Sequence, residues 1–578
     1  MAKSNAVQAQ AALVERPRAQ VLVIGAGING IATFRDLALQ GVDVAIVDRG
    51  DFVSGASAAS SHMIHGGVRY LENGEFRLVK ESVEERNGLI KIAPHYVKPL
   101  QTTIPIFSTF SGVLSAPLRF LTHKQGSKHV ERGALLIKLG MVLYDSFSRD
   151  GGTVPRHVFA GRKKALAALP QLNPGLKYTA TYYDAAMHDP ERLALDVLRD
   201  GLEAGRNARA ANYVEAVGMD EDGVRLRNAI TGEEFSFAAD VVVNTSGPWT
   251  DLTNDALGQP SAFMGGTKGS HIVLDSPELL AATGGREIFF EHEDGRIVLI
   301  YPLKGRVLVG TTDLEHDMTK PIRCTETEVD YFFELVAHVF PTVPVDRSNI
   351  VFRFSGVRPL PRHDDEQPGF VSRDYRIESR PLERRSEDGR AGTLLSLVGG
   401  KWTTFRALAE NLSSQVLELI GMPRTVSTEG LAIGGGRSWP ATEAAHTVWV
   451  TTHGDELGSV RAEQLLARYG THAADVIDFL SLEADAPLAH NAAYSRREIE
   501  YLAQTESVVR LIDVLLRRTS MAFVGSATGP LVDELADIVA PVLGWTAERR
   551  DQEVLLAEQI LSDVHGVAFA ARPVLSHA

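Results

Sequence analysis

The stretch VLVIGAGINGIATFRDLALQGVDVAIVD, residues 21–48, decides the fold of this chain. It begins with a short apolar run, 21–24, that is typical of a buried strand. The next six residues, GAGING, fit the pattern G-x-G-x-x-G, and a segment with apolar residues at helical spacing follows them. A second apolar run then ends in Asp48. The order strand, glycine turn, helix and strand predicts a βαβ unit of a parallel α/β sheet.

Each glycine of this turn has a physical task in a dinucleotide site. Gly25 permits the tight turn, Gly27 lets backbone N–H groups approach a pyrophosphate, and Gly30 lets helix and strand pack closely. Asp48 lies 18 residues after Gly30, close to the spacing of about 20 expected for a carboxylate that binds a ribose. The unit therefore predicts dinucleotide binding, and its acid disfavours the 2′-phosphate of NADP.

The composition limits the rest of the chain. Its 578 residues should form about two to four domains. A net charge of −14 disfavours nucleic acid as a partner, so an anionic ligand would need locally concentrated Arg and Lys. Cys324 is the only cysteine, which excludes an intrachain disulfide and a cysteine-cluster metal site. No metal site is predicted.

Residues 1–19 lack the apolar core of a signal peptide and are predicted to form a polar, mobile arm. No uninterrupted apolar run reaches about 18 residues, so no transmembrane helix is predicted. The apolar segments 110–121 and 134–147 fit either core helices or a surface that dips into a bilayer.

Three stretches of small or polar residues are candidates for ligand contact. The run 54–61, which holds Ser57 and Ser61, suits either backbone against a ligand or a flexible loop. The double glycine at 66–67 precedes Arg69 and Tyr70, which could bind an anion or form a surface ion pair. The strand 240–244 leads into a turn with Gly247, which fits a second nucleotide contact or an ordinary β-turn.

Residues 260–375 show short strands between glycine turns, as an inserted antiparallel sheet requires. His271 begins one of these strands and is either structural or a catalytic base. Arg358 lies in a loop framed by Gly and Pro. A strand at 394–398 then leads through Gly400, Lys401 and Thr403 into a helix, a geometry that favours anions.

Toward the end of the chain the pattern becomes helical. We expect a helical domain over 440–578 that serves packing or contact in a homodimer. Its cluster of Arg510, Arg517 and Arg518 is interpreted as a solvated or ion-paired face. The charged segment 378–392 is expected to be an exposed loop.

Several long motifs in one order resemble the FAD-dependent, quinone-linked sn-glycerol-3-phosphate dehydrogenases. The resemblance spans about residues 20–420, with a weaker match around 494–521. The motifs are SHMIHGGVRYLENGEFRLVKE (61–81), NTSGPW (244–249), KGSHIVL (268–274), VGTTD (309–313), FSGVRPL (354–360) and GGKWTTFR (399–406).

The resemblance implies FAD rather than NAD at the βαβ unit. It implies an α/β fold with a Rossmann-like, D-amino-acid-oxidase-like FAD domain over 20–430, a substrate domain inserted at about 95–180 and 260–375, and the helical C-terminal domain. The residues implied in cofactor binding are Gly25, Gly27, Gly30, Asp48, Ser57, Ser61, Gly247, Gly400 and Thr403. Those implied around the substrate are Arg69, Tyr70, Arg358 and Lys401, with His271, Arg373 or a water chain as the proton acceptor.

The implied activity is oxidation of glycerol 3-phosphate to dihydroxyacetone phosphate, with hydride transfer to FAD and electrons passed to a membrane quinone. The expected location is the cytoplasm, peripherally attached to the cytoplasmic membrane, where an anionic lipid surface is a further expected partner. Three rivals stay open: an oxidase that uses oxygen, an enzyme similar to amino-acid oxidases, and a non-catalytic flavin-binding scaffold.

Overall fold

The computed structural model describes residues 5–67, 76–108, 137–138, 141, 154–291, 297–362, 374–385, 391–455 and 457–572. The predictions for 110–121 and for nearly all of 134–147 lie outside these residues. Among the helices in the described ranges, none is both long and apolar enough to cross a membrane.

The strands fall into two large sheets. In chain order they are β1 (Arg18–Ile24), β2 (Val44–Val47), β3 (Met63–Ile64), β4 (Val97–Ile106), β5 (Val158–Gly161), β6 (Tyr178–Met187), β7 (Arg209–Ala211), β8 (Val214–Asp220), β9 (Gly223–Asn228), β10 (Glu234–Asn244), β11 (Thr267–Leu274), β12 (Glu287–Glu291), β13 (Ile297–Leu303), β14 (Arg306–Gly310), β15 (Leu314–Glu315), β16 (Ile350–Arg358), β17 (Arg376–Arg385) and β18 (Ala391–Val398).

The helices pack on both sheets and build the C-terminal part. They are α1 (Asn5–Glu15), α2 (Ile28–Leu39), α3 (Phe76–Ile92), α4 (Arg162–Ala168), α5 (Pro190–Ala204), α6 (Thr250–Ala256), α7 (Pro277–Ala282), α8 (Glu326–Val339), α9 (Phe405–Ile420), α10 (Glu443–His453), α11 (Ser459–Tyr469), α12 (Ala473–Leu480), α13 (Arg496–Thr505), α14 (Leu511–Asp513), α15 (Gly529–Leu543) and α16 (Ala547–His565), with a π-helical turn at Val514–Arg518.

The first sheet is the predicted parallel sheet. Its order is β17-β18-β10-β1-β2-β7, and the five strands from β18 to β7 run parallel. Both faces are covered: α2, α5 and α9 pack together on one side, and α1 with the β8–β9 hairpin forms a separate core with the sheet. Burial on both faces explains why β1 and β2 are continuous apolar runs.

One expectation for this sheet is wrong. The segment 378–392 was expected to be an exposed loop, but residues up to 385 belong to β17, which pairs antiparallel with β18. The strand lies at the sheet edge, where charged side chains protect the unpaired backbone groups. A charged composition therefore fits an edge strand as well as it fits a loop.

The second sheet is mainly antiparallel, as predicted. Its order is β15-β11-β14-β13-β12-β4-β6-β3, with β16 paired to β11 and β5 paired to β6. The contributing strands lie mostly within 95–180 and 260–375, but the short β3 and the end of β6 extend beyond these limits. The helix α8 packs on one face over buried residues such as Val329, Phe332 and Leu335.

The N-terminal segment also differs from its prediction. Residues 5–15 form α1, which contacts β7, rather than an unstructured arm. Leu13 is fully buried, and Gln10 donates a hydrogen bond from Nε2 to the carbonyl oxygen of Asn212 at 3.0 Å. The segment is rich in alanine, a strong helix former, and its side chains Ala6 and Leu13 are buried, so a helix docked on the sheet replaces the expected mobile arm.

The helical C-terminal part shares its largest core with the second sheet. Leu308 and Phe352 of that sheet join the core formed by α11 to α16. Arg517 and Arg518 are buried and paired with the buried Asp51, which follows β2 in the first sheet. All three arginines are ion-paired, as one of the two interpretations held: Arg517 and Arg518 are buried, and Arg510, which is partly exposed, pairs with Glu553.

Candidate active site

A cavity of about 680 Å³ opens at the ends of the parallel strands. Its volume is in the range of small-molecule and cofactor sites. Five residues predicted to bind a cofactor line it: Gly25, Gly27, Asp48, Ser57 and Gly247. The glycine turn, the run 54–61 and the turn after β10 thus meet around one space, although they are far apart in sequence.

The glycine turn has the geometry that a bound pyrophosphate needs. Gly25 has a φ of +102°, and a Cβ added there would lie 2.7 Å from Ser246 Cα. Gly27 is the N-cap of α2, so the positive end of this helix faces the cavity. Gly30 does not line the cavity; a Cβ there would lie 2.0 Å from the carbonyl oxygen of Gly25, which confirms its packing role.

Asp48 lines the cavity and also holds the turn. Its Oδ2 accepts a hydrogen bond from the Ala26 N–H at 2.7 Å, and its Oδ1 accepts one from the Gly50 N–H at 2.9 Å. Burial raises the pKa of this carboxyl to about 6, against the effect of these two bonds. Each carboxylate oxygen keeps a second lone pair, so contact with a ribose hydroxyl stays a prediction.

The run 54–61 is a cradle of small residues against the cavity. Ser57 Oγ accepts a hydrogen bond from the Ile28 N–H at 3.0 Å, and the Ser57 carbonyl accepts one from Trp402 Nε1 at 3.0 Å. A Cβ on Gly356 would lie 2.4 Å from Ala59 Cβ. The cradle, the open helix N-terminus and the acid fit a dinucleotide with a pyrophosphate and a ribose.

Arg358 ends β16 beside this cavity, since its neighbours Val357 and Pro359 both line it. Its Nη1 donates to Asp313 Oδ1 at 2.8 Å. Its Nη2 donates to Thr311 Oγ1 at 3.0 Å and to the carbonyl oxygen of Thr312 at 3.1 Å. The VGTTD motif thus holds the guanidinium in one orientation.

Lys401 follows a glycine that packs against the cofactor turn. A Cβ on Gly400 would lie 2.6 Å from Nδ2 of Asn29, a residue of the glycine turn. Lys401 Nζ donates to Ser82 Oγ of α3 at 2.5 Å. The buried Thr403 lies in the 3-10 turn that opens α9. The glycines at 399–400 therefore bring this lysine next to the cofactor turn.

His271 is buried beside the cradle. Its Nε2 shares a 2.8 Å hydrogen bond with Ser61 Oγ, and its ring stacks on Phe354 at 4.8 Å. Its Nδ1 has no hydrogen-bond partner among the described residues. Burial, Arg358 and His62 together hold the pKa of His271 well below its ordinary value, so the ring is neutral at pH 7. Ser61 thus contacts the candidate base.

A second imidazole, His65, escaped the sequence reasoning. Its Nδ1 lies 3.7 Å from Oδ2 of Asp184, a buried carboxylate that Arg86 also binds at 3.0 Å. The side chain of His65 is 38% exposed, whereas that of His271 is buried. Arg86 lies one helical turn after Ser82, so α3 connects this pair to Lys401. His65 directly precedes the double glycine at 66–67, and this position was the signal in the sequence that could have marked it as a site residue.

Three predicted site residues, Arg69, Tyr70 and Arg373, lie outside the described residues, so their roles stay predictions. Arg358 and Lys401 are described, and residues adjacent to them in sequence border or contact the cavity lining, but their roles at the substrate stay predictions as well.

Comparison with known proteins gives consistent matches over nearly the whole chain. The family model "FAD dependent oxidoreductase" matches residues 20–406, and "C-terminal domain of alpha-glycerophosphate oxidase" matches 426–550. The glycerol-3-phosphate dehydrogenase of Synechocystis sp. is 32% identical over 92% of this chain and 94% of its own. The human mitochondrial glycerol-3-phosphate dehydrogenase is 28% identical over 94% of this chain and 73% of its own.

A solved structure shares the fold. The glycerol-3-phosphate dehydrogenase of Bacillus halodurans, complexed with FAD, superimposes with a TM-score of 0.73 at 21% identity, covering 97% of this chain and 98% of that one. The fold class predicted from the sequence is thereby confirmed, and the dinucleotide of the cavity is FAD. The chain belongs to the family of FAD-dependent glycerol-3-phosphate dehydrogenases.

Proposed function

We propose that this chain oxidises sn-glycerol 3-phosphate to dihydroxyacetone phosphate with FAD as the hydride acceptor. One observation supports the proposal most directly: two basic residues from distant parts of the sequence each lie next to a residue at the edge of the cofactor cavity. Val357 and Pro359, on either side of Arg358, line the cavity, and Gly400, which precedes Lys401, packs against Asn29 of the cavity lining. The names of the relatives, at 28% and 32% identity, support the same substrate.

The two cations suit a phosphate. Arginine and lysine are the usual phosphate-binding side chains: the guanidinium of Arg358 contributes a planar, permanent charge, and Lys401 contributes a compact one. Asp313 already orients Arg358, so less side-chain entropy is lost when a substrate binds. A carboxylate substrate would need only one such cation, which makes an amino-acid oxidase the weaker alternative.

Bound FAD supplies the redox chemistry, and the protein supplies orientation and a proton acceptor. The C2 hydroxyl of the substrate must lose its proton as its hydride leaves, so a base must face it. His271 is neutral and can take this proton at Nδ1, which has no hydrogen-bond partner among the described residues. His65 is the second candidate, because its imidazole is 38% exposed and its Nδ1 lies 3.7 Å from the carboxylate of Asp184, which can orient the ring.

Rapid anaerobic mixing with glycerol 3-phosphate tests the activity. We expect loss of the yellow flavin absorbance, whereas a persistent yellow colour would support the scaffold alternative. The same bleaching rate, measured in His271→Asn and His65→Asn, identifies the base, whose removal should slow bleaching by about 10²–10⁴-fold.

The substitution Arg358→Ala tests the phosphate site. We expect the KM for glycerol 3-phosphate to rise by about tenfold or more while FAD stays bound, because a charge-assisted hydrogen bond contributes about 1.5–3 kcal/mol. Arg347→Ala is the matched control, since Arg347 lies on the same domain and pairs with Glu326 at the surface. Unchanged kinetics in the Arg358 variant would remove this residue from the site.

We further propose that a membrane quinone is the final electron acceptor, and that the enzyme binds peripherally to the cytoplasmic face of the cytoplasmic membrane through an anionic lipid surface. The resemblance of the motifs to quinone-linked enzymes supports this acceptor. The match of the C-terminal part to an oxidase domain favours oxygen as the alternative. Peroxide formed at the rate of substrate turnover would decide for oxygen, and quinone reduction on anionic vesicles would decide for quinone.

A further inference from the structure

A buried carboxylate, Glu328, lies behind the substrate site. It belongs to the first turn of α8 and is 3% exposed. Its Oε1 accepts hydrogen bonds from Ser270 Oγ at 2.8 Å and Thr312 Oγ1 at 2.7 Å. Its Oε2 accepts from Lys268 Nζ at 2.7 Å and from the backbone and hydroxyl of Thr325 at 2.8 and 2.9 Å.

We propose that Glu328 is a positioning residue that sets the orientation of Arg358 and His271 for the reaction. The inference rests on the proposed function, because it concerns the geometry of that same site. Glu328 itself does not line the cofactor cavity.

The connection to Arg358 runs through Thr312. The Thr312 hydroxyl donates a hydrogen bond to Glu328 and accepts one from the Ser270 N–H at 2.9 Å. These two hydrogen bonds fix the orientation of the Thr312 side chain. The Thr312 carbonyl oxygen then accepts from Arg358 Nη2 at 3.1 Å. Removing the carboxylate would free Thr312, and the guanidinium would lose one of its fixed acceptors.

The connection to His271 runs along β11. Ser270 directly precedes His271, and its hydroxyl also shares a 2.7 Å hydrogen bond with Ser355 of β16. Phe354, on which His271 stacks, directly precedes Ser355. Glu328 therefore ties together the two strands that carry the base and the guanidinium.

The charge of Glu328 is balanced within the same cluster. Lys268 is buried and also donates to the Arg323 carbonyl oxygen at 2.6 Å. Burial favours the protonated acid, but the hydrogen bonds from Lys268, Thr325, Thr312 and Ser270 outweigh this effect and lower the pKa of Glu328. The carboxylate is thus ionised at neutral pH and can accept all of these bonds.

The experiment removes the ion pair without leaving a buried charge. The double variant Lys268→Met with Glu328→Leu keeps the volume apolar, a replacement that is often neutral for stability. The matched control is Arg347→Met with Glu326→Leu, a solvent-exposed pair in which Glu326 begins the same helix and Arg347 lies in the 3-10 turn before β16. Flavin content, melting temperature, KM and kcat are measured for each variant as the FAD-loaded enzyme.

We expect the buried double variant to keep its FAD while its KM for glycerol 3-phosphate rises about tenfold, which corresponds to about 1.4 kcal/mol. The control should keep the wild-type KM. A merely structural role would reduce the amount of flavin-loaded enzyme without changing KM, so an unchanged KM overturns the proposal. If the double variant does not fold, the single variant Thr312→Val, which loses one hydroxyl, replaces it in the experiment. A raised KM with FAD retained supports the proposal, and an unchanged KM overturns it. Failure of the proposed function would be distinguishable, because the wild-type flavin would then not bleach with glycerol 3-phosphate.

Discussion

The substitution Asp51→Asn tests how firmly the C-terminal domain is joined to the cofactor domain. Asp51 follows β2 and is fully buried. Its carboxylate accepts from Arg517 Nε, from Arg518 Nη1 and Nη2 at 2.6 and 2.9 Å, and from Asn212 Nδ2 at 2.8 Å. Asparagine keeps the shape of the side chain, but its N–H₂ group would face the N–H donors of the arginines. The buried guanidinium of Arg518 would also lose its counter-ion.

The expected cost follows from this burial. Breaking a buried ion pair by removing one partner costs about 3–5 kcal/mol. Asp513 still accepts from Arg517 Nη2 at 2.8 Å in the variant, so we expect a loss near the lower end, about 3 kcal/mol. Although burial favours the protonated form of Asp51, Arg518 and Arg517 hold its pKa well below the ordinary value of 3.8. Because the pKa of Asp51 is lower in the folded state, its carboxylate contributes fully to the free energy of unfolding above pH 3.8, and this contribution is lost as the pH falls further. The difference in free energy of unfolding between variant and wild type should therefore shrink at low pH.

The assay is urea unfolding of the FAD-loaded enzyme at pH 7, followed by circular dichroism and flavin fluorescence. Asp537→Asn is the control, because Asp537 pairs with Arg550 at the surface and is 64% exposed; we expect a change below about 1 kcal/mol. A loss below about 1 kcal/mol in the Asp51 variant as well would refute the argument from burial.

Two further predictions concern the turn and the second sheet. Gly30→Ala should release FAD, because the new Cβ would lie 2.0 Å from the Gly25 carbonyl oxygen; flavin absorbance per protein measures this loss. Glu287→Gln should change the pH dependence of stability. Burial raises the pKa of Glu287 to about 8, so its contribution to stability is full below the ordinary pKa of 4.5 and is lost as the pH rises through about 8. The variant should therefore gain stability relative to wild type between about pH 4.5 and pH 8, by up to about 1.4 kcal/mol per pH unit; an unchanged difference in stability across this range would contradict the prediction.

The sequence predicted the features that local spacing encodes. The glycine turn, its helix and its strands follow from short-range periodicity, and several long motifs in a fixed order indicated the family. The sequence could not show that the two carboxylate oxygens of Asp48 accept hydrogen bonds from the Ala26 and Gly50 N–H groups. Every residue except proline has a backbone N–H, so residue types do not reveal these partners.

The remaining differences arise from long-range contacts. Asp51 and Arg518 are separated by 467 positions, so no local pattern reveals that they pair. His65 was passed over because its partner, Asp184, lies in β6, far along the chain. The helix α1 was missed because it is held by a long-range contact, the burial of Leu13 against the sheet, which no pattern within residues 1–19 reveals.

The run 54–61 connects the glycine turn with the candidate base His271. Ser57 accepts a hydrogen bond from the first turn of α2. Ser61, four residues after Ser57, shares a hydrogen bond with His271. If His271 is the proton acceptor, as we propose, a cofactor bound against this run would also fix the position of its imidazole, and coupling of this kind is reciprocal. We expect the two ligands to strengthen each other: the flavin-free protein should capture glycerol 3-phosphate poorly, and saturating substrate should retard the escape of FAD.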